Sequence, residues 1–498
     1  MIPGTKLKKV LMTIGLSLVG SAGGLPGRAI GAAEGVGTLF GELGKKATVS
    51  AHVVRLSDGV SLFELKPDQL VSPASVTKIM TAATALSKLT PHHLYKTKFL
   101  TTSKRVGATM QGDLFIVGEG DPFIVSEKMW QLAADFKNMG IKEFTGDIVI
   151  DNSLFDDEMR DESRAFGEVK SSHAYDAPVS PFAVNFNTTA ITMGPGAKVG
   201  AAGIVGLDPY PLRPVKIESR LKTGAAGSKD KTDVTRMAGA KGESKLIVSG
   251  TVADEPHLKK LYRSVGDPVT TSGEYVRAFL DGVGIKVRGR VRAGVAPKWG
   301  LEIYTLESFP MSFIVAGLNK FSNNFIADML VKRLGAEFGA AQPLSAGSGT
   351  MANGSKVIEK FLREDVGINS NFVINNGSGL DTGNRLSARQ ITSVLQYMER
   401  RMDAFPEFLA SLPASGWDGT LDKRFKGDKE FLKGQIRAKT GTLSEPISVV
   451  GLAGYLRHPK HGLIGFAILE NGIVGKPQPG VADLRDHQDQ VVAALMKM

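Results

Sequence analysis

The spacing of apolar residues changes several times along this chain, and each change marks an element. Residues 48–56 read as a strand, and Asp58-Gly59 turns it into a second strand at 61–65, a β-hairpin. Ser72-Pro73-Ala74 then leads into 75–89, where Val76, Ile79, Met80, Ala83 and Leu86 recur at helical spacing. From about 96 to 190 the pattern is strand-rich, with short apolar runs at 112–118 and 146–151 bounded by Gly and Asp. Residues 193–250 alternate Gly, Lys, Ser and Ala stretches with short strands such as 215–220, as expected of a small β-rich insert. Helical patterns follow at 273–284, 311–334 and 354–366, the last closing at Gly367. Strands return at 435–439, 448–457 and 462–470, and an amphipathic segment fills 481–498. Asp483, Arg485 and Asp486 make that segment a helix packed on a sheet rather than a membrane anchor. Strands from both chain ends, sequential and antiparallel, predict an α+β domain interrupted by roughly two hundred residues.

Composition narrows the setting. Lys6, Lys8 and Lys9 precede an apolar run at 10–20 and then small residues, the layout of an export signal with cleavage after Ala22 or Ala33. The run is shorter than the roughly 20 apolar residues that cross a bilayer. Whether cleaved or kept as an anchor, it places the folded part outside the cytoplasm, periplasmic or otherwise extracytoplasmic. The chain has no cysteine, so a packed core rather than disulfides must hold it, and thiol nucleophiles and thiolate metal sites are excluded. No H-E-x-x-H occurs, and His458 and His461 fall in the turn-like Arg457-His458-Pro459-Lys460-His461-Gly462, so neither a metal nor another cofactor is expected. The formal charge is +11; without residues 1–33, which hold Lys6, Lys8, Lys9 and Arg28 and no acid, 57 basic residues face 50 acidic ones, +7. Ordinary solubility charge is the simpler account, although such a balance also suits anionic envelope polymers and leaves peripheral membrane contact open. No nucleic-acid-binding motif is visible.

Three short motifs fall in order: Ser75-Val76-Thr77-Lys78, Ser322-Asn323-Asn324 and Lys439-Thr440-Gly441, reading S-x-x-K, S-x-N and K-T-G. Lys222-Thr223-Gly224 and the stretch from Ser228 to Lys231 repeat two of them, so context has to separate signal from chance. Ser75 opens an apolar helix, and Lys78 lies one turn on, near the same face. A serine hydroxyl becomes nucleophilic when a base takes its proton; Lys78 can be that base if burial or nearby positive charge, such as Lys439, keeps its amine neutral. Helix N–H groups near Ser75 favour negative charge developing on a reacting carbonyl. Ser322 can relay a proton to a leaving amine, and Asn324 can orient Lys78 or the substrate. Apolar Ile314, Leu318, Phe321, Phe325, Met329 and Leu330 put this triplet at a break in buried helical structure. Lys439 and Thr440, ending an edge-strand pattern, can hold a substrate carboxylate, and Gly441 permits close approach of a peptide backbone. The repeated motifs lack these contexts and fall in what reads as the most polar loop of the insert.

Further segments add to the motifs: Gly118-Glu119-Gly120-Asp121-Pro122, Ala177-Pro178-Val179-Ser180 with Val184-Asn185-Phe186-Asn187, Asn376-Gly377-Ser378-Gly379-Leu380, Ser411-Leu412-Pro413, and Gly416-Trp417-Asp418-Gly419-Thr420-Leu421. From about residue 48 to its end the chain resembles the low-molecular-mass class C penicillin-binding proteins, the S13 D-alanyl-D-alanine carboxypeptidase/endopeptidase family of the penicillin-binding protein 4 type. The resemblance implies a penicillin-recognising, serine transpeptidase-like α+β domain, an antiparallel sheet flanked by helices, carrying two nested, mostly β inserted domains. The expected division is 1–33 signal, 45–95 with 296–498 the peptidase domain, 96–192 with 251–295 the second domain and 193–250 the third.

By motif, the resemblance makes Ser75 the acylated nucleophile, Lys78 its base, Ser322 and Asn324 the second catalytic element, and Lys439 with Thr440 the carboxylate-binding strand. Backbone N–H groups of Ser75 and Thr442 would form the oxyanion hole, and Thr440, Gly441, Thr442 and Tyr175 would contact substrate. Peptidoglycan peptide stems are the implied substrates and β-lactam antibiotics the covalent inhibitors. The expected reaction cleaves D-alanyl-D-alanine or D-alanyl-diamino-acid cross-link bonds; the alternatives are a β-lactamase of the same fold or a non-catalytic peptidoglycan-binding protein. The chain departs from the family twice. Asn376 replaces the usual Asp of D-G-S-G-L, and ahead of Tyr175, where some members carry an acid that grips a diaminopimelate amine, stands Lys170 with Glu168 nearby.

Overall fold

A computed structural model describes residues 27–160, 172–239 and 243–498. The expected signal up to residue 26, with Glu168 and Lys170, lies outside the described residues. Both chain ends meet in one five-stranded antiparallel sheet of order Ile436–Leu443, Val449–His458, Gly462–Gly472, Ala47–Arg55, Ser61–Leu65. The three inner strands are buried along nearly their whole length, because helices cover both faces; their sequences accordingly read as continuous apolar runs rather than alternations. On one face the helices Gly27–Leu43 and Val481–Leu495 pack through Val36, Phe40 and Val492 against Phe466 and Ile468. On the other, Lys78–Leu89 and Ala388–Glu399 join Met311–Lys320 and Asn324–Leu334 in the largest core cluster.

The helix Lys78–Leu89 is the axis of that cluster. Ten of its twelve residues are buried, so it is enclosed on all sides and not merely on one stripe. Small Ala82, Ala83 and Ala85 let its neighbours approach, and the rigidity of this packing passes to the turn at its N-terminus.

The inserted material leaves the peptidase domain after this helix. Its larger sheet has the order Val291–Ala293, Ile148–Asp151, Leu114–Val117, Lys96–Thr101, Leu301–Glu307. Leu301–Glu307 pairs with Lys96–Thr101, so the insert's sheet runs past the expected boundary at 296. The strand-rich expectation for 96–190 also misses the helix Ser126–Asn138, although its buried Met129, Leu132, Ala133 and Phe136 have helical spacing. Strands on both sides of 193–250 pair with those inside it, so the inner insert's sheets span 188–264. It consists of two three-stranded sheets, Ile204–Asp208, Thr188–Gly194 and Lys259–Ser264 in one, Val215–Gly224, Ser244–Ala253 and Lys231–Ala238 in the other.

This insert corrects the expected place of one repeated motif. Lys222-Thr223-Gly224 is not in a loop: it ends a strand, in register with Thr251-Val252-Ala253, and the Thr223 hydroxyl accepts from the Gly196 N–H at 2.8 Å. Ser228 does sit in a turn, where its hydroxyl donates to the Ala225 carbonyl at 2.6 Å. Both serve local structure.

Candidate active site

Ser75 lies in a 3-10 turn, Ala74–Thr77, that precedes the α-helix instead of forming its first turn. Ala74 is held in the left-handed region, φ 46°, where a side chain is strained, and the site's packing maintains it. Its carbonyl accepts from the Thr77 hydroxyl at 2.9 Å, and Gly379 presses on it so closely that a Cβ there would sit 1.8 Å from the Ala74 oxygen. From the opposite side Gly441 approaches, and a Cβ on it would meet the Pro73 carbonyl at 2.6 Å and the Ser75 nitrogen at 3.2 Å. The peptide backbone that Gly441 admits is thus the protein's own turn at Ser75.

The Lys78 amine is fully buried and surrounded by oxygen. It lies 2.9 Å from Ser75 Oγ, 2.7 Å from Asn324 Oδ1 and 2.5 Å from the Ser378 carbonyl. Two of these three, the amide and peptide oxygens, can only accept. As an ammonium Lys78 can donate to all three; as a neutral amine it would spend its two N–H bonds on the obligate acceptors and turn its lone pair to the serine hydroxyl. Ser378 carries no role in the sequence reading, because its contribution is a backbone carbonyl. The surrounding segment fixes it: Thr81 Oγ1 donates to the Gly377 carbonyl at 2.9 Å, and Asn376 Oδ1 accepts from the Gly379 N–H at 3.0 Å and from Asn384 Nδ2 at 3.3 Å. Asn376 acts there as an acceptor, a task an amide oxygen performs as a carboxylate would.

Ser322 bridges two helices in the left-handed region, φ 53°, and Asn323 behind it caps Asn324–Leu334 by accepting from the Ile326 N–H at 3.1 Å. The break expected at this triplet thus falls between the helices Met311–Lys320 and Asn324–Leu334. Of the flanking apolar residues, Phe321 departs from the expected burial and is 75% exposed. Lys439 donates to Ser322 Oγ at 2.8 Å and to the Thr440 carbonyl at 2.7 Å. Burial first, and then the charge of Lys78, push the Lys439 amine well below the usual lysine range.

The strand carrying Lys439 is the sheet's edge. Its first part is covered, since Ala414 bridges Arg437 and the Ala438 N–H donates to the Pro413 carbonyl at 3.0 Å. Beyond Lys439 the edge faces a cleft of about 710 Å³ lined by Ser75, Ser322, Thr420, Thr440, Gly441 and Thr442 among others. An open strand edge beside a nucleophile can add an extended peptide as a further strand. The Thr440 hydroxyl donates to Thr420 Oγ1 at 2.8 Å, and the loop holding Thr420 is tied down by Asp418, which accepts from Lys320 at 2.6 Å. Eight of the nine residues expected at the site converge here. Tyr175 stands apart, 55% exposed and stacked on His173 with ring centroids 5.1 Å apart, and it is not among the residues lining the cleft. The two histidines weighed for metal form a turn, with His458 Nδ1 accepting from the Lys460 and His461 N–H groups.

A penicillin-recognising serine peptidase fold with this constellation has close counterparts. The chain belongs to the D-Ala-D-Ala carboxypeptidase 3 (S13) family, whose sequence profile matches residues 41–497. It is 30% identical over 448 residues to the D-alanyl-D-alanine carboxypeptidase of Actinomadura sp. strain R39, covering 86% of this chain and 79% of that protein. It is 24% identical over 399 residues to the D-alanyl-D-alanine carboxypeptidase DacB of Haemophilus influenzae, covering 80% of each. The crystal structure of penicillin binding protein 4 from Haemophilus influenzae superposes with a TM-score of 0.75 over 93% of this chain and 99% of that one, at 21% identity. The expected family and fold class are thereby established, and the chain is a serine-type D-alanyl-D-alanine carboxypeptidase by family.

Proposed function

We propose that Ser75 is the nucleophile of this peptidase and that it cleaves the peptide bond following a D-alanine in peptidoglycan stems, whether the leaving residue is D-alanine or a cross-linked diamino acid. The observation that carries this is the hydrogen-bond arrangement at Lys78, 2.9 Å from Ser75 Oγ and beside two obligate acceptors that would leave a neutral amine's lone pair for the Ser75 hydroxyl. Ser75 Oγ attacks the carbonyl as its proton passes to Lys78, and the oxyanion gathers on the N–H groups of Ser75 and Thr442. Ser322, bonded to Lys439, hands a proton to the leaving amine. Water then attacks the acyl-enzyme and regenerates Ser75.

Lys439 has a second part in this scheme. Two ammonium groups are costly in so buried a site, so one positive charge is favoured over two. An arriving substrate carboxylate draws that charge to Lys439 and Thr440 and leaves Lys78 neutral, which couples binding to activation of the base. β-Lactams, with a carboxylate beside a strained acyl group, enter the same cycle and stall at the acyl-enzyme. The export-type segment at 1–33 puts the reaction outside the cytoplasm, where the stems are.

Cross-linked and uncross-linked muropeptides, incubated with the protein and resolved by chromatography, test the reading. Release of D-alanine or of monomers by the wild type and neither product with Ser75→Ala is expected. Equal turnover by Ser75→Ala would overturn it.

A further inference from the structure

One wall of the cleft is cationic. Lys423, Arg424, Lys426, Lys429 and Arg485 line it, against the carboxylates of Asp486 and Asp489. Arg424 is held by Asp489 at 2.6 Å and Lys429 by Asp428 at 3.0 Å. Arg485 differs from both. It stands exposed on the helix Val481–Leu495, and its guanidinium donates to a neutral group, Thr442 Oγ1, at 3.2 Å. That bond occupies an acceptor position of the hydroxyl and directs the Thr442 O–H elsewhere, while most of the five guanidinium N–H donors stay available in a fork that fits a carboxylate.

We propose that Arg485 is a specificity-determining residue that binds the free carboxylate of the leaving residue. The proposal rests on the reading above, in which substrate lies along the strand edge with its carboxylate at Lys439 and Thr440. Thr442 is two residues along that strand, on the same face as Thr440, so the two hydroxyls and the Arg485 fork converge from one side. Exposed Lys423 and Lys426 continue the positive wall outward, and it attracts peptides that carry further carboxylates beyond the scissile bond. The selected class is a D-alanyl peptide whose leaving residue has an ionised α-carboxylate, as against one ending in a neutral amide.

The test compares kcat/KM for an N-acylated peptide ending in D-Ala-D-Ala with that for the same peptide ending in D-alaninamide, in wild type, Arg485→Gln and Arg485→Lys. The acid-over-amide preference of the wild type should fall by about 10- to 100-fold in Arg485→Gln and be partly restored in Arg485→Lys. One-to-one labelling of Arg485→Gln by saturating penicillin shows that the fold and serine chemistry survive. An unchanged preference in Arg485→Gln, or an equal loss on both peptides, overturns the assignment. A wild type that takes no penicillin and cleaves neither peptide overturns instead the reading on which it rests.

Discussion

Lys78 is where one atom's surroundings decide the chemistry. Its amine meets Ser75, Asn324 and the Ser378 carbonyl, so removing it should stop acylation without opening the fold. Lys78→Met, similar in length and apolar, is expected to slow acylation by penicillin by about 10²–10⁴-fold, read by stopped-flow fluorescence, with a melting temperature near that of the wild type. A rate within a few-fold of wild type would remove Lys78 from the role of base. The depressed pKa of Lys439 fixes the sign of a pH effect. Acylation should be retained above that pKa and lost as pH falls through it, where the pair takes up a second proton; a rate that rises as pH falls would contradict this. At this scale the sequence was informative about side chains and blind to the backbone. The motifs singled out Ser75, Lys78, Ser322, Asn324 and Lys439 by their functional groups, and the structure brings these side chains together. Ser378 was not legible, since any residue supplies a carbonyl, and Arg485 lacked a motif to single it out.

Elements position these groups through close backbone contact. The strand Ile436–Leu443 and the segment around Gly379 both press on the turn at Ser75, and at each contact a glycine leaves the room. Gly441→Ala would place a Cβ 2.6 Å from the Pro73 carbonyl, so strand or turn must shift. Acylation is expected to fall about 10²-fold, because a displacement of that order misaligns nucleophile and substrate, while the cost in stability is about 1–3 kcal/mol by thermal denaturation. Wild-type acylation in that variant would show that the contact does not position Ser75. Periodicity revealed the outer strands and the terminal helix to within a few residues. The helical pattern over 311–334 and its break at the triplet were readable, whereas the left-handed state of Ser322 that makes the break is a backbone state that no apolar pattern encodes. The helix Ser126–Asn138 was legible, but its short apolar stripe lies between strands and was absorbed into them.

Over the whole molecule, the first and last segments are joined across one sheet. His487, on the terminal helix, bonds Glu470 at 2.7 Å and the Leu39 carbonyl of the first helix at 3.0 Å. Burial lowers the His487 pKa, but its hydrogen bond and charge interaction with Glu470 outweigh that and hold it above the ordinary imidazole range. Burial likewise raises Glu470. Both groups bind protons more tightly in the folded state. The stability His487 contributes is complete below about pH 6.5 and lost as pH rises through its raised value, so melting temperature should decline over that range and decline less in His487→Gln. Identical pH profiles for the two proteins would contradict the linkage. The interruption of one sheet by inserted residues was readable, but the pairing of Leu301–Glu307 with Lys96–Thr101 was not, because it joins segments some two hundred residues apart by hydrogen bonds that composition does not record. The central claim, that this constellation acylates on Ser75, is tested most directly by intact mass and peptide mapping after incubation with penicillin. One adduct of penicillin mass on the peptide containing Ser75, absent in Ser75→Ala, is the predicted result; an adduct on another residue, or none on the wild type, would contradict it.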